Sequence, residues 1–158
     1  MGRKHTFMDR EFGRPDFDPY DQGTFEKDLV FVAMSFYQDM QEVYSTIKDE
    51  CSKLGLRATR VDENVGSGFI IREITNLIER AEFIVFDLTH ERPNVYYELG
   101  YAHGVGNEPL DILLVAKEGT NIHFDIAPLR VQFYMTTAHL RSIVASSLKE
   151  MIQRTRGR

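Results

Sequence analysis

The sequence predicts an α/β protein, a three-layer sandwich in which helices cover both faces of a five-stranded parallel sheet of order 2-1-3-4-5. Three observations carry that expectation. Short apolar runs at 29–34, 83–86 and 110–116 lack polar alternation, as strands buried on both faces require. Between them, apolar residues return at helical spacing. Glycine and proline stand at the junctions, with Gly55 as a helix stop and Pro93 as a helix entry.

Taken in order, residues 29–34 read as the first strand. Met40, Val43, Tyr44, Ile47, Cys51 and Leu54 mark one face of a helix over 40–54. Residues 56–61 form the second strand. Gly66, Ser67 and Gly68 open a second helix, with Ile70, Ile71, Ile74, Leu77 and Ile78 as its stripe. The third strand is 83–87 and the third helix 93–105, because Pro93 holds Arg92 extended. Strands follow at 110–116 and 130–134. A closing helix over 137–153 lays Leu140, Ile143, Val144, Leu148 and Met151 on one face. Strand and helix in strict alternation give the flavodoxin-like arrangement.

At 158 residues the chain is read as one domain, 29–158, preceded by an arm over 1–28. The arm mixes charge with Phe7, Phe12, Phe17, Tyr20 and Phe25 at no regular period. Those aromatics suit packing on the same domain or on a second copy, so a homo-oligomer is expected. The net charge of −5 speaks against nucleic acid as a partner. Arg154, Arg156 and Arg158 read as a solvated helix end. A single cysteine, Cys51, excludes an internal disulfide and reads as a small buried residue. No apolar run approaches about 18 residues, so no membrane span is expected. Without a signal-peptide core near the start, the reading is a cytoplasmic protein.

Several uses of this architecture fail on the residues. A phosphoacceptor site needs acids after the first strand, where Ala33, Met34, Ser35 and Phe36 stand instead. A flavin phosphate needs a small, hydroxyl-rich loop there, and Ser35, Phe36, Tyr37 and Gln38 are too bulky. Neither a glycine dinucleotide fingerprint nor a Walker lysine loop is present. His5, His90, His103, His123 and His139 are scattered, with no ligand pair at helical spacing. No metal and no cofactor is therefore expected.

Carboxylates remain. Asp87 ends the third strand, Glu98 lies in the next helix, and Asp62, Glu63, Glu73 and Asp125 complete the set. In a parallel sheet the carboxyl ends of the strands share one edge, where ligands bind. Two carboxylates there suit cleavage of a glycosidic bond through an oxocarbenium-like state. Burial would raise the pKa of Glu98, whereas the helix N-terminus and the hydroxyls of Tyr96, Tyr97 and Tyr101 favour its ionised form. The ionised form is expected to win, since a nucleophile needs it. Met34, Ser35, Phe36 and Tyr97 are expected to line the site. Gly66, Ser67 and Gly68 would turn backbone amides toward a phosphate or ribose. Asn94 would cap its helix or hold a sugar hydroxyl, and Asp125 would pair with Arg130.

The segment from Asp87, Leu88 and Thr89 through Pro93, Asn94, Val95, Tyr96, Tyr97, Glu98, Leu99 and Gly100 resembles the nucleoside 2-deoxyribosyltransferase superfamily, in its bacterial TIR-like branch. The stretches 30–36 and 124–130 are similar to that branch too, so the resemblance spans residues 29–135. It implies that Glu98 works at the anomeric carbon of a nucleoside, nucleotide or NAD. It also implies a second acid on the helix before strand three. Ile74 fills that aligned position, which leaves the neighbouring Glu73, or Asp87, to serve the leaving group. A neutral base wants a proton donor, whereas nicotinamide leaves as a neutral molecule from a cationic ring. A missing second acid thus adds weight to NAD. By resemblance the setting is bacterial antiviral defence, and the alternative is a TIR-like module that senses a nucleotide or assembles without turnover.

Overall fold

The computed structural model describes residues 25–61, 67–123, 125–126 and 129–157, with the side chains of 67–70 left aside. Five strands alternate with four α-helices: β1 Glu26–Ala33, α1 Gln41–Lys53, β2 Arg57–Thr59, α2 Ser67–Arg80, β3 Ala81–Asp87, α3 Pro93–Gly104, β4 Ile112–Lys117, β5 Val131–Tyr134 and α4 Thr137–Arg156. All four strand pairings are parallel and the order is β2-β1-β3-β4-β5. The fold expected from the sequence is the fold observed.

The sheet separates two apolar layers. On one side α1 and α4 cover Val30, Val32, Phe83 and Val85 with Ile47, Cys51, Leu140 and Leu148. On the other, α2 and α3 cover Phe31, Ala33, Ile84 and Phe86 with Ile78, Val95, Leu99 and Ala102. Every residue of β3 is buried, as a central parallel strand requires. Cys51 is free and buried, and burial pushes its thiol up to about 12, so it is a packing residue.

Four local expectations need correction. β1 starts at Glu26, inside the stretch read as an arm, because Glu26 pairs with Ala81 and takes ion pairs from Arg57 and Arg80. Ile71 is 56% exposed, off the packed face of α2. Asp125 and Arg130 are both exposed, and among the described residues no ion pair joins them. Arg156 is not a loose helix end: its guanidinium reaches Glu82 at 3.0 Å and Asp28 at 2.5 Å, fastening α4 to the amino edge of the sheet. The reading of residues 1–24 lies outside the described residues, as do Asp62, Glu63 and Gly66.

Candidate active site

The strand order reverses between β1 and β3, so the loops after those strands part to opposite faces at the carboxyl edge, the place where open α/β sheets bind ligands. Side chains tie the two loops together across it. Arg92 donates to Tyr37 Oη at 3.1 Å, with its guanidinium carbon 4.9 Å from that ring's centre. The His90 ring stands edge-on to Tyr37 at 4.7 Å and reaches Asp39 at 3.1 Å. Lys117, at the end of β4, lies 3.8 Å from the same carboxylate.

α3 carries the central acid. Arg92 precedes it with φ −72° and ψ 126°, the extended conformation that Pro93 imposes. Val95, Glu98, Leu99 and Ala102 are its buried residues. They fall at positions i, i+3, i+4 and i+7, so Glu98 sits within the core-facing stripe, where packing alone would place a leucine. It is 8% exposed, and no hydrogen bond reaches its carboxylate among the described residues. Burial pushes its pKa up to about 7. The balance expected from sequence is therefore reversed. Glu98 is the sixth residue of the helix, beyond the first turn where the dipole acts. The tyrosine hydroxyls do not compensate: Tyr97 is 63% exposed and Tyr101 donates to Glu79 on α2.

Asp87 is buried differently. Its Oδ1 accepts from Thr89 N at 2.9 Å and from the Thr89 hydroxyl, and its Oδ2 accepts from Tyr134 Oη at 2.7 Å. Burial pushes this carboxyl up, against the pull of the Thr89 and Tyr134 donors. The Thr89 hydroxyl also accepts from Lys117 N at 3.1 Å. Both oxygens are engaged in bracing the loop between β3 and α3 against β4 and β5. Asp87→Asn, which turns an amide toward one of these donors, is expected to destabilise the fold by about 1–3 kcal/mol. Urea denaturation checks this, and unchanged stability would show that the brace carries no load.

The other expected residues are dispersed. Glu73 is exposed on α2, beside the partly buried Ile74. Met34 belongs to the core layer under α1. Ser35 is 6% exposed and its hydroxyl has no partner. The Phe36 ring lies against the Arg60 guanidinium at 4.9 Å. Asn94 is exposed and does not cap α3. Ser67 and Gly68 begin α2, but their side chains fall outside the described set. Sequence reasoning missed Arg60, Thr89 and Tyr134. Only Thr89 left a local signal, a hydroxyl two residues after a strand-end aspartate.

Several solved structures share this fold. The CMP N-glycosidase BcmB of Clostridium botulinum is 16% identical with a TM-score of 0.59, over 73% of this chain and 96% of its own. BlsM is 15% identical with a TM-score of 0.62, over 82% of this chain and 94% of its own. A flavo di-iron protein variant from Thermotoga maritima is 20% identical with a TM-score of 0.61, over 80% of this chain but 36% of its own. No protein-family model matches the chain, and no curated protein does. At these identities the likeness defines the class of fold, flavodoxin-like, and nothing narrower. No described helix is long and apolar enough to cross a membrane.

Proposed function

We propose that this chain breaks the N-glycosidic bond of a nucleotide, with Glu98 acting at the anomeric carbon of the sugar. One observation carries the reading: a largely buried carboxyl, with no hydrogen-bond partner among the described residues, occupies a core position of α3, on the helix that follows the loop after β3. Such a group costs stability unless a ligand uses it. The similarity in fold to a CMP N-glycosidase supports the same bond and the same class of substrate.

The chemistry follows from that placement. The electron pair of the bond between C1′ and the base nitrogen leaves with the base, which takes up a proton. The ionised Glu98 then bonds to, or pairs with, the cationic C1′, and water or a second base completes the reaction. With a pKa of about 7, Glu98 is close to half ionised at neutral pH. In this account Asp87 is a positioning residue. It holds the loop that leads to α3, and its oxygens are already committed to Thr89 and Tyr134. Glu73, exposed on α2, has no comparable claim. The leaving base draws its proton from solvent, so NAD, whose nicotinamide needs none, is a second substrate of the same class. Phe36 and Tyr37 occupy the loop where a flavin phosphate would need small residues, which sets the reading apart from a flavin carrier.

The test is incubation with cytidine monophosphate, its deoxy form, the free nucleosides and NAD, with released base read by mass spectrometry. Base is expected from at least one nucleotide. Nucleotide bound and recovered intact would make the protein a binding module instead.

A further inference from the structure

Glu98 has to touch the sugar carbon, yet it is 8% exposed. The resting protein is therefore closed to its substrate, and some part of it moves. The loop that leads to α3 is held at both ends, in two different ways. At one end Asp87, Thr89 and Tyr134 bind one another largely out of solvent. At the other, His90 and Arg92 meet the loop after β1 through exposed side chains. Arg92 donates to Tyr37 Oη at 3.1 Å and lies over the same ring. His90 stands edge-on to Tyr37 and shares the Asp39 carboxylate with Lys117. Tyr37 is 47% exposed, and the Asp39 side chain more than half exposed. Exposed contacts of this kind hold weakly, whereas the buried brace does not let go without cost.

Glu91, between the two clasping side chains, has a φ of +46°. That left-handed backbone is uncommon for a glutamate and persists only where its surroundings over-determine it. The turn bond from Glu91 N to Leu88 O at 3.1 Å is one restraint. His90 and Arg92, on either side, both reach Tyr37 and supply another. A strained turn clamped by weak outer contacts relaxes when the clamp parts. The clamp also stands in the way. β1 runs on to α1 on one face of the sheet and β3 to α3 on the other, so the clasp crosses the carboxyl edge between them. Glu98 lies beneath that edge. Its helix neighbours Val95 and Leu99 share one layer with Ala33 and Phe86, which pair near the carboxyl ends of β1 and β3.

We propose that this clasp is a latch: Tyr37, Asp39, His90 and Arg92 bar the way to Glu98 in the resting protein, and substrate is admitted when they part. The proposal rests on the function above for what the opening admits. The brace around Asp87 stays shut throughout, so the opening is confined to the loop after β1 and the turn over 88–92.

Access to Glu98 can be read without any substrate. A water-soluble carbodiimide with glycine ethyl ester modifies carboxyls as they meet solvent, and peptide mass spectrometry gives the rate at each residue. Native Glu98 is expected to react slowly. Tyr37→Phe removes the acceptor of Arg92 while keeping the ring, and Arg92→Met removes the cation. Each should speed labelling of Glu98 by about two- to fivefold, the scale of one exposed polar contact. Asp87, 2% exposed, should react at the native rate in both variants. Glu98 labelled no faster in either variant overturns the proposal, as does an equal acceleration at Asp87, which would mean a loosened fold. Accelerated labelling of Glu98 in a protein that releases no base would defeat the glycosidase reading and leave the latch standing. Base release by the native protein, with Glu98 labelling unmoved in the variants, would do the reverse.

Discussion

Glu98→Gln is expected to abolish base release and, above neutral pH, to make the folded protein more stable. The two effects share one cause. Glutamine keeps the shape of the side chain but can neither carry the charge that the C1′ cation requires nor attack it, so turnover should fall by about a thousandfold or more, the scale of losing a main electrostatic contributor. The stability effect follows from the folded pKa of about 7 against the ordinary value of 4.5. Below 4.5 the carboxyl is protonated in both folded and unfolded chains and contributes no difference. Between 4.5 and about 7 the unfolded chain gives up its proton while the folded one keeps it, so native stability declines as pH rises through that window. Above the window the loss is constant, at about 3 kcal/mol. The variant has no such loss. Thermal denaturation at pH 4 and pH 8 should therefore show similar midpoints for the two proteins at the lower pH and a higher midpoint for Glu98→Gln at the upper. A variant less stable at both would mean that the carboxylate has a structural partner. Stability surrendered at one buried acid is the trade expected where a fold keeps a group for chemistry.

Arg156→Met should produce the largest loss of stability. Glu82 is 5% exposed at the start of β3, and Arg156 reaches it through Nε at 3.1 Å and Nη2 at 3.0 Å. Asp28 N also donates to Glu82 at 2.6 Å, from a residue whose φ is +69°. Methionine fills similar volume but leaves the buried carboxylate without its cation, a change that costs about 3–5 kcal/mol when the remaining charge is fully enclosed. Because Arg156 itself is partly exposed and water can enter, the lower end is expected. Replacing both partners, Glu82→Gln with Arg156→Met, should recover much of the loss. Equilibrium unfolding of the two single variants and the double variant measures the coupling, and additive losses would contradict the pairing.

What the sequence disclosed and what it concealed follow a physical division. Periodicity is local, so β3, with its apolar run from Phe83 to Phe86, and α4, with Leu140, Ile143, Val144, Leu148 and Met151 buried together, were legible from spacing alone. The strand order followed, since parallel strands joined by helices leave few topologies. Glu98 stood out because an acid interrupts an apolar stripe. Its protonation was misread because the macrodipole acts over one turn and burial acts wherever the side chain points. Contacts between distant segments left no trace. Tyr134 meets Asp87 across 47 positions and Arg156 meets Glu82 across 74. Nothing in the order of residues announces either, nor that Phe36 and Tyr44 would enclose Arg60. Ile71 fits the helical period of α2 but not its packed face, because the period fixes relative direction only and the sheet decides which side is covered.

The most direct test is the pH dependence of base release by the native protein, at saturating nucleotide, beside Glu98→Gln. The account predicts a rate that climbs with pH, levels off just above 7 as Glu98 ionises, and is absent throughout in the variant. Release by the variant at the native rate, or a native rate insensitive to pH between 5 and 8, would contradict it.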